Sequence, residues 1–407
     1  MSYKFIRVTD YYSGFLKTFY GTNLNSAELD YEAQYSQLTE QSIEIVSSYG
    51  KYFRLAGVDA VDIISNASLL LKRWAKENGI DQNLSDEAIV VAQIKHFKPD
   101  IVWIDTTRFL NKKWLNELRN EVKSIKLLVG HVCAPYNQVI FDGLSQLDIV
   151  FTCTPGLVKE FKEKGINNVE LVYHSFNHSV LETIQNTSNP FPDNNFVFTG
   201  SLTTGYGFHG TRIKYIEAIL NSGIDMTIYG NLESTNRIFL KKSFSTLVKT
   251  MNSLGLNSLV NSIPLLNKHK KHAEVDINFY SNKLKNSVKS PVFGMDMYRV
   301  LAKSKMCFNI HGEIANQCAG NLRLFEATGV GSCLITDNKQ NMGQLFEIDK
   351  EVVVYDSIEE CIEKVKWLLH NPEEMKRIAE AGQKRTLKEH TVENRVNTVN
   401  KIFKDNL

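Results

Sequence analysis

Twice along this chain, short runs rich in β-branched and aromatic residues alternate with amphipathic stretches of helical periodicity, and this doubled alternation restricts the fold more than any single motif. In the first series the β-like runs fall at 4–9, 60–65, 100–105, 126–129, 148–153 and 169–174. Helical stretches at 68–78, 86–97, 112–122 and 155–165 lie between them, after an earlier helical pattern that begins near Tyr35. The second series places strands at 196–199, 226–229, 306–310, 332–336 and 352–355. Its helices lie near 210–222, 294–305, 322–329, 357–370 and 372–388, followed by an amphipathic terminal segment. Strand–helix–strand units of this kind build parallel sheets covered by helices. The polar, proline-marked stretch 176–195 between the two series reads as a connection. The expected fold is therefore α/β, with two doubly wound Rossmann-like domains facing a central cleft. Their bounds are 1–176 and 177–390, with 391–407 as a separate terminal helix and 231–291 as an elaboration of the second domain.

Length agrees with this division, because 407 residues exceed one ordinary core. A formal net charge of +2 argues against a dedicated nucleic-acid binder, so any basic patch must be local. The six cysteines form no CxxC pair, and their spacing indicates neither a zinc site nor a disulfide framework. The N-terminus lacks the apolar core of a signal peptide, and no apolar run reaches membrane-spanning length. The expected location is cytoplasmic, with peripheral contact at the inner membrane face left open.

Candidate chemistry gathers where the predicted strands end. The run Ala319-Gly-Asn-Leu-Arg-Leu-Phe-Glu-Ala-Thr-Gly-Val-Gly331 follows one strand and precedes another. Backbone N–H groups at a helix N-terminus suit phosphate, and a carboxylate one to two turns on can accept bonds from a ribose. Here Asn321, Arg323 and Glu326 converge with His311, and Arg323 has the fork geometry that grips a diphosphate. A strand ending in Thr-Gly200-Ser201, followed by His209 and Arg212 at the next helix start, gives a second phosphate-facing turn. In the first domain, His131 after the strand at 126–129 and Asp105 after the strand at 100–105 compete for the role of base, with Asp10 a further carboxylate at a strand end. Each of these residues also has an ordinary structural reading, as a turn, a cap or a packed core group.

Other features carry less. Asp59 with Asp62, and Asp296, lack the compact Asp-x-Asp context that would hold a divalent metal against a diphosphate, so no metal or other cofactor is expected. The run Lys268-His-Lys-Lys-His272 can attract a phosphorylated acceptor or an anionic membrane surface, although such runs are ordinarily solvated loops.

The block from His311 to Asp337, with Leu345-Phe-Glu, Glu351-Val-Val-Val-Tyr355, Asn371-Pro-Glu-Glu and Ala379-Glu-Ala-Gly-Gln-Lys-Arg385, resembles the C-terminal half of the CgeB/YkvP-like glycosyltransferases of the two-domain GT-B class. Weaker matches lie at Gly200-Ser-Leu, Phe208-His209, Arg212, Ala134-Pro-Tyr136 and Trp74-Ala-Lys-Glu-Asn-Gly79. The resemblance implies a GT-B fold whose last helix crosses back onto the first domain. It also implies transfer of a sugar from a nucleotide sugar, held by the second domain, to a saccharide, lipid-linked or protein hydroxyl, without a bound metal. Glu326 matches the second glutamate of the paired-glutamate motif of related retaining enzymes, which holds the ribose. Cys318 stands eight residues earlier, in place of the first glutamate. Two rival readings are a GT-B epimerase acting on a nucleotide sugar and a non-catalytic sugar-nucleotide-binding or coat-assembly protein.

Overall fold

In the computed structural model, residues 3–42, 45–206, 210–312 and 317–407 are described. Burial on both faces explains why the strand sequences read as continuous apolar runs rather than as alternating ones. The first sheet contains β1 (Lys4–Thr9), β2 (Asp59–Ile64), β3 (Ile101–Asp105), β4 (Leu127–His131), β5 (Ile149–Thr152) and β6 (Val169–Leu171), in the order β2-β1-β3-β4-β5-β6. The second contains β7 (Asn194–Thr199), β8 (Thr227–Tyr229), β9 (Val288–Lys289), β10 (Ser304–Asn309), β11 (Cys333–Asp337) and β12 (Val353–Tyr355), in the order β12-β11-β10-β7-β8-β9. Every pairing between these strands is parallel.

Strand order reverses between β1 and β3 in one sheet and between β7 and β10 in the other. The connections leaving adjacent strands there run in opposite directions, which opens a crevice at the carboxyl ends where ligands of open α/β sheets bind. Thr9, Asp105, Thr199 and Asn309 end the four strands concerned.

The chain crosses between the two sheets twice, and both crossings lie side by side. Phe176 N–H donates to the His390 carbonyl (2.8 Å) and Val392 N–H to the Phe176 carbonyl (3.0 Å), forming an isolated parallel bridge between Phe176 and Thr391. Phe176 is itself buried against Gly329, where any side chain would collide with its ring. Beyond the bridge, the helix Val392–Asn406 lies on the helix Ile45–Leu55 of the first sheet. Its buried stripe of Val392, Val396, Val399 and Phe403 repeats at helical spacing. Phe403 reaches the core of that sheet, with ring centroids 5.6 Å from Phe5 and 6.0 Å from Phe151.

The segment 231–291 departs from the sheet pattern. Helix Thr235–Ser253, whose N-cap Ser234 side chain accepts from Arg237 N–H, is followed by the short helices Asn257–Ser262 and Pro264–His269. These pack on a small core of their own around Val248, Val260 and Leu266. The segment returns through β9, an edge strand of two residues that is too short and too rich in lysine to show in the apolar pattern. The connecting stretch after Phe176 likewise holds an ordered helix, Ser179–Asn186.

Replacing Phe403 with alanine is expected to destabilise the first domain by about 3–5 kcal/mol, the usual cost of emptying a fully buried phenylalanine site. Urea unfolding followed by tryptophan fluorescence measures this, since Trp103 lies in the same cluster.

Candidate active site

Two adjoining cavities occupy the cleft. The larger, about 510 Å³, is lined from the second domain by Gly200, Ser201, Arg212, Asn321, Arg323 and Glu326, and from the first by Cys133, Ala134 and Thr154. The other, about 460 Å³, lies on the first domain and contains Asp105, His131 and Arg7. Tyr12, His174 and Leu322 border both. Six of the eight second-domain candidates thus share one cavity. His209 lies outside the described residues. His311 does not line the cavity: its ring is fully buried and bonds through Nδ1 to Asp337 Oδ1 (2.7 Å), while its neighbour Gly312 faces the space.

The larger cavity is built on the β7/β10 switch point. Helix Leu322–Gly329 begins there, and its N-cap Asn321 makes no side-chain cap. Instead, Asn321 Nδ2 donates to Asn309 Oδ1 at the end of β10 (2.8 Å), tying the helix start to the strand. At the second residue of this helix, Arg323 Nη1 pairs with Glu326 Oε2 one turn on at 2.8 Å, and Nη2 donates to the Thr199 carbonyl at the end of β7 (3.3 Å). Arg212 Nη1 donates to the Ser201 carbonyl (3.3 Å), with its guanidinium 5.6 Å from the Phe198 ring centroid.

Electrostatics favour an anion here. Burial and the like charge of Arg323 outweigh the opposing charge of Asp337 and lower the Arg212 guanidinium to about 10, so two cations line one cavity. Glu326 compensates only in part, because burial raises its carboxyl even beside Arg323. A diphosphate would relieve the repulsion between the two guanidiniums and accept their N–H forks.

On the first domain, His131 and Asp105 form one hydrogen-bonded pair, with Nδ1 and Oδ1 2.6 Å apart. Asp105 also pairs through Oδ2 with Arg7. Burial alone would raise its carboxyl, but the Arg7 and His131 charges outweigh that and hold it at about 2. An ionised Asp105 accepts from Nδ1–H, so that whenever the imidazole gives up a proton the lone pair is left on Nε2. Nε2 lies 3.1 Å from Cys133 Sγ. Half-buried His174 stands beside it, ring centroids 6.0 Å apart; desolvation and the nearby His131 lower it to about 3, so it is neutral. Asp10 at the end of β1 is engaged by Ser65 and by Thr106 Oγ1 (2.7 Å).

Two features of the cleft lie outside the sequence reading. Cys133 and Cys153 form a disulfide, Cα atoms 5.6 Å apart, which corrects the expectation of no disulfide. The parallel neighbours β4 and β5 bring together loops twenty residues apart in sequence, a proximity that linear spacing cannot show. Cys133, Cys153 and His174 offer donor atoms within 4.8 Å of one another, a set suited to a soft metal once the cysteines are reduced. The second feature is Gly320, where a side chain would collide with the Cys153 carbonyl, so glycine permits the two domains to meet across the cleft. Arg7 is a further omission, and its signal was present: a guanidinium inside an otherwise apolar strand needs a buried carboxylate.

Residues 261–401 match a protein family described as glycosyl transferase-like. No curated protein sequence matches the chain. Among solved structures, a glycosyltransferase from Rickettsia africae ESF-5 is similar over 100% of this chain and 98% of its own, at 11% identity and a TM-score of 0.54. Anabaena Alr3699/HepE in complex with UDP-glucose is similar over 98% of this chain and 99% of its own, at 12% identity and a TM-score of 0.57. Sucrose-phosphate synthase from Thermosynechococcus elongatus is similar over 99% of this chain and 98% of its own, at 9% identity and a TM-score of 0.54. At such identities the likeness speaks to the fold, and the fold of this chain is the two-domain GT-B architecture.

Proposed function

We propose that the protein is a glycosyltransferase that moves a sugar from a nucleotide-sugar donor to a hydroxyl acceptor, in the synthesis of a surface polysaccharide, glycan or glycoconjugate. The observation that carries this reading is the pairing of Arg212 and Arg323 in one cavity at a switch point, with Glu326 beside them and the Asp105–His131 pair across the cleft. The glycosyl transferase-like match over 261–401 includes Asn321, Arg323 and Glu326. The UDP-glucose complex of the similar Anabaena protein supports a nucleotide-sugar donor. Within the glycosyltransferases we assign the chain to the CgeB/YkvP-like group, on the motifs of its C-terminal half.

In this reading the nucleoside diphosphate lies in the larger cavity, with its phosphates on Arg212, Arg323, the Gly200–Ser201 turn and the start of helix Leu322–Gly329. Glu326 accepts from the ribose. The acceptor enters beside His131. Its hydroxyl oxygen forms the new bond to the anomeric carbon, the bond from that carbon to the β-phosphate oxygen breaks, and its electron pair leaves with the nucleoside diphosphate. The two guanidiniums stabilise the charge that develops on the leaving group. His131 Nε2 takes the acceptor proton, and Asp105, too acidic to serve as base, holds the imidazole in the required tautomer. Approach of the domains across Gly320 excludes water, so that transfer prevails over hydrolysis. No residue in this scheme calls for a metal.

Isothermal titration with UDP, and with the other nucleoside diphosphates in parallel, tests the donor site. Arg212→Ala and Glu326→Gln are each expected to weaken binding about ten-fold or more while circular dichroism stays unchanged. Wild-type affinity in both variants would remove the donor assignment. Asp105→Asn and His131→Ala are expected to lower turnover about 10²- to 10⁴-fold with donor affinity little altered, as measured by release of nucleoside diphosphate in the presence of acceptor. Full turnover in either variant excludes that residue from the chemistry.

A further inference from the structure

The lobe formed by residues 231–291 combines two properties. It holds ten lysines and arginines against three carboxylates, a net charge of +7 within a chain whose total is +2, so the remainder carries −5. It also concentrates exposed apolar side chains. Of the nineteen large hydrophobic residues exposed among the described residues, nine fall between Phe239 and Phe279.

Helix Thr235–Ser253 shows how these are arranged. Its buried side, through Ile238, Ser245 and Val248, faces the lobe and its attachment. Leu240 and Leu247 project from the helix and Leu254 from its C-cap, 55%, 46% and 68% exposed. Their seven-residue spacing puts them in one line along the helix, away from Ile238. Phe239 is exposed beside this line, and Phe279 carries Lys242 Nζ 5.5 Å from its ring centroid. Lys242, Lys249, Lys268, Lys270 and Lys271 are all solvent-exposed.

We propose that this lobe is a docking surface for an anionic lipid bilayer, with the leucine line entering the interfacial region and the lysines meeting acidic headgroups. The charge selects this occupant. An isologous contact with a second copy would set one +7 lobe against another, and a phosphate polymer would leave the leucines unused. The proposal rests on the composition and exposure of the lobe and does not depend on the reading of the cleft.

The lobe is firmly joined to the cleft. Lys241 Nζ donates to the Thr204 carbonyl (2.9 Å) and pairs with Glu233 (2.5 Å), which accepts from Thr204 N–H (2.8 Å). Tyr280 Oη donates to the Leu202 carbonyl (3.0 Å), and Tyr206 N–H to His272 Nδ1 (3.1 Å). These bonds hold the loop that begins at Gly200–Ser201, in the lining of the larger cavity. Docking would therefore be mechanically coupled to that loop.

Flotation of the full chain with phosphatidylcholine vesicles, with and without phosphatidylglycerol, tests the surface. Binding is expected to be about ten-fold or more stronger to the phosphatidylglycerol vesicles and to fall as salt rises. The triple variant Leu240→Ser, Leu247→Ser, Leu254→Ser and, separately, Lys268→Ser with Lys270→Ser and Lys271→Ser should each lose most of that binding while keeping the wild-type melting temperature and UDP affinity. Equal or absent binding to the two vesicle types overturns the proposal. So does a wild-type dimer in sedimentation velocity that the leucine variant abolishes, because the line would then serve a second copy. Since UDP affinity is read in the same samples, failure of the lipid surface and failure of the donor site are separate results.

Discussion

The short backbone pairing between Phe176 and Thr391 is the constraint on which the cleft depends. Each sheet is complete in itself, and nothing in a parallel sheet dictates how it faces another. That relation comes from two chain crossings laid against each other, sealed by the contact of Phe176 with Gly329 and anchored by the apolar stripe of the last helix. With both crossings at one place, the carboxyl edges of the two sheets confront each other, and the loops after β1, β3, β4, β7 and β10 share a single space. The near contact of Gly320 with the Cys153 carbonyl marks where the opposite lips of that space come together.

The two walls of the cleft differ in how they treat charge. On the second domain, two guanidiniums act on each other across the cavity, Arg323 paired with Glu326 and Arg212 in the field of Asp337. On the first, Arg7 and Asp105 neutralise each other, and the surplus hydrogen-bonding capacity of Asp105 goes to His131. On the function proposed above, one wall receives charge and the other moves a proton. Both arrangements sit at switch points, where adjacent strand ends leave room for polar groups without breaking the ladder.

The alternation of apolar runs and amphipathic stretches made the two parallel sheets legible, because a buried strand and its covering helix each leave a periodic mark. The same periodicity marks the terminal helix, with Val392, Val396, Val399 and Phe403 on one face. Less legible were features that depend on which loops become neighbours. The Cys133–Cys153 pairing follows from the adjacency of β4 and β5, and His131 and Asp105 proved to be partners rather than competitors because β3 and β4 lie side by side. His311 resembled a ligand-facing residue in the linear pattern, yet the parallel pairing of β10 with β11 presents Asp337 to it and draws the ring inward. The elaboration gave only weak periodicity because its helices bury little: over Thr235–Ser253 only Ile238, Ser245 and Val248 are buried, so much of the apolar content remains outside.

The segregation of charge has a consequence that a total of +2 conceals. A body with a small monopole and a strongly basic end behaves in solution as an electric dipole. It will adsorb to cation-exchange resin through the basic lobe more firmly than a net charge of +2 would suggest. At low ionic strength, copies will tend to align head to tail. This tendency fades once the Debye length shortens to about 8 Å at physiological salt.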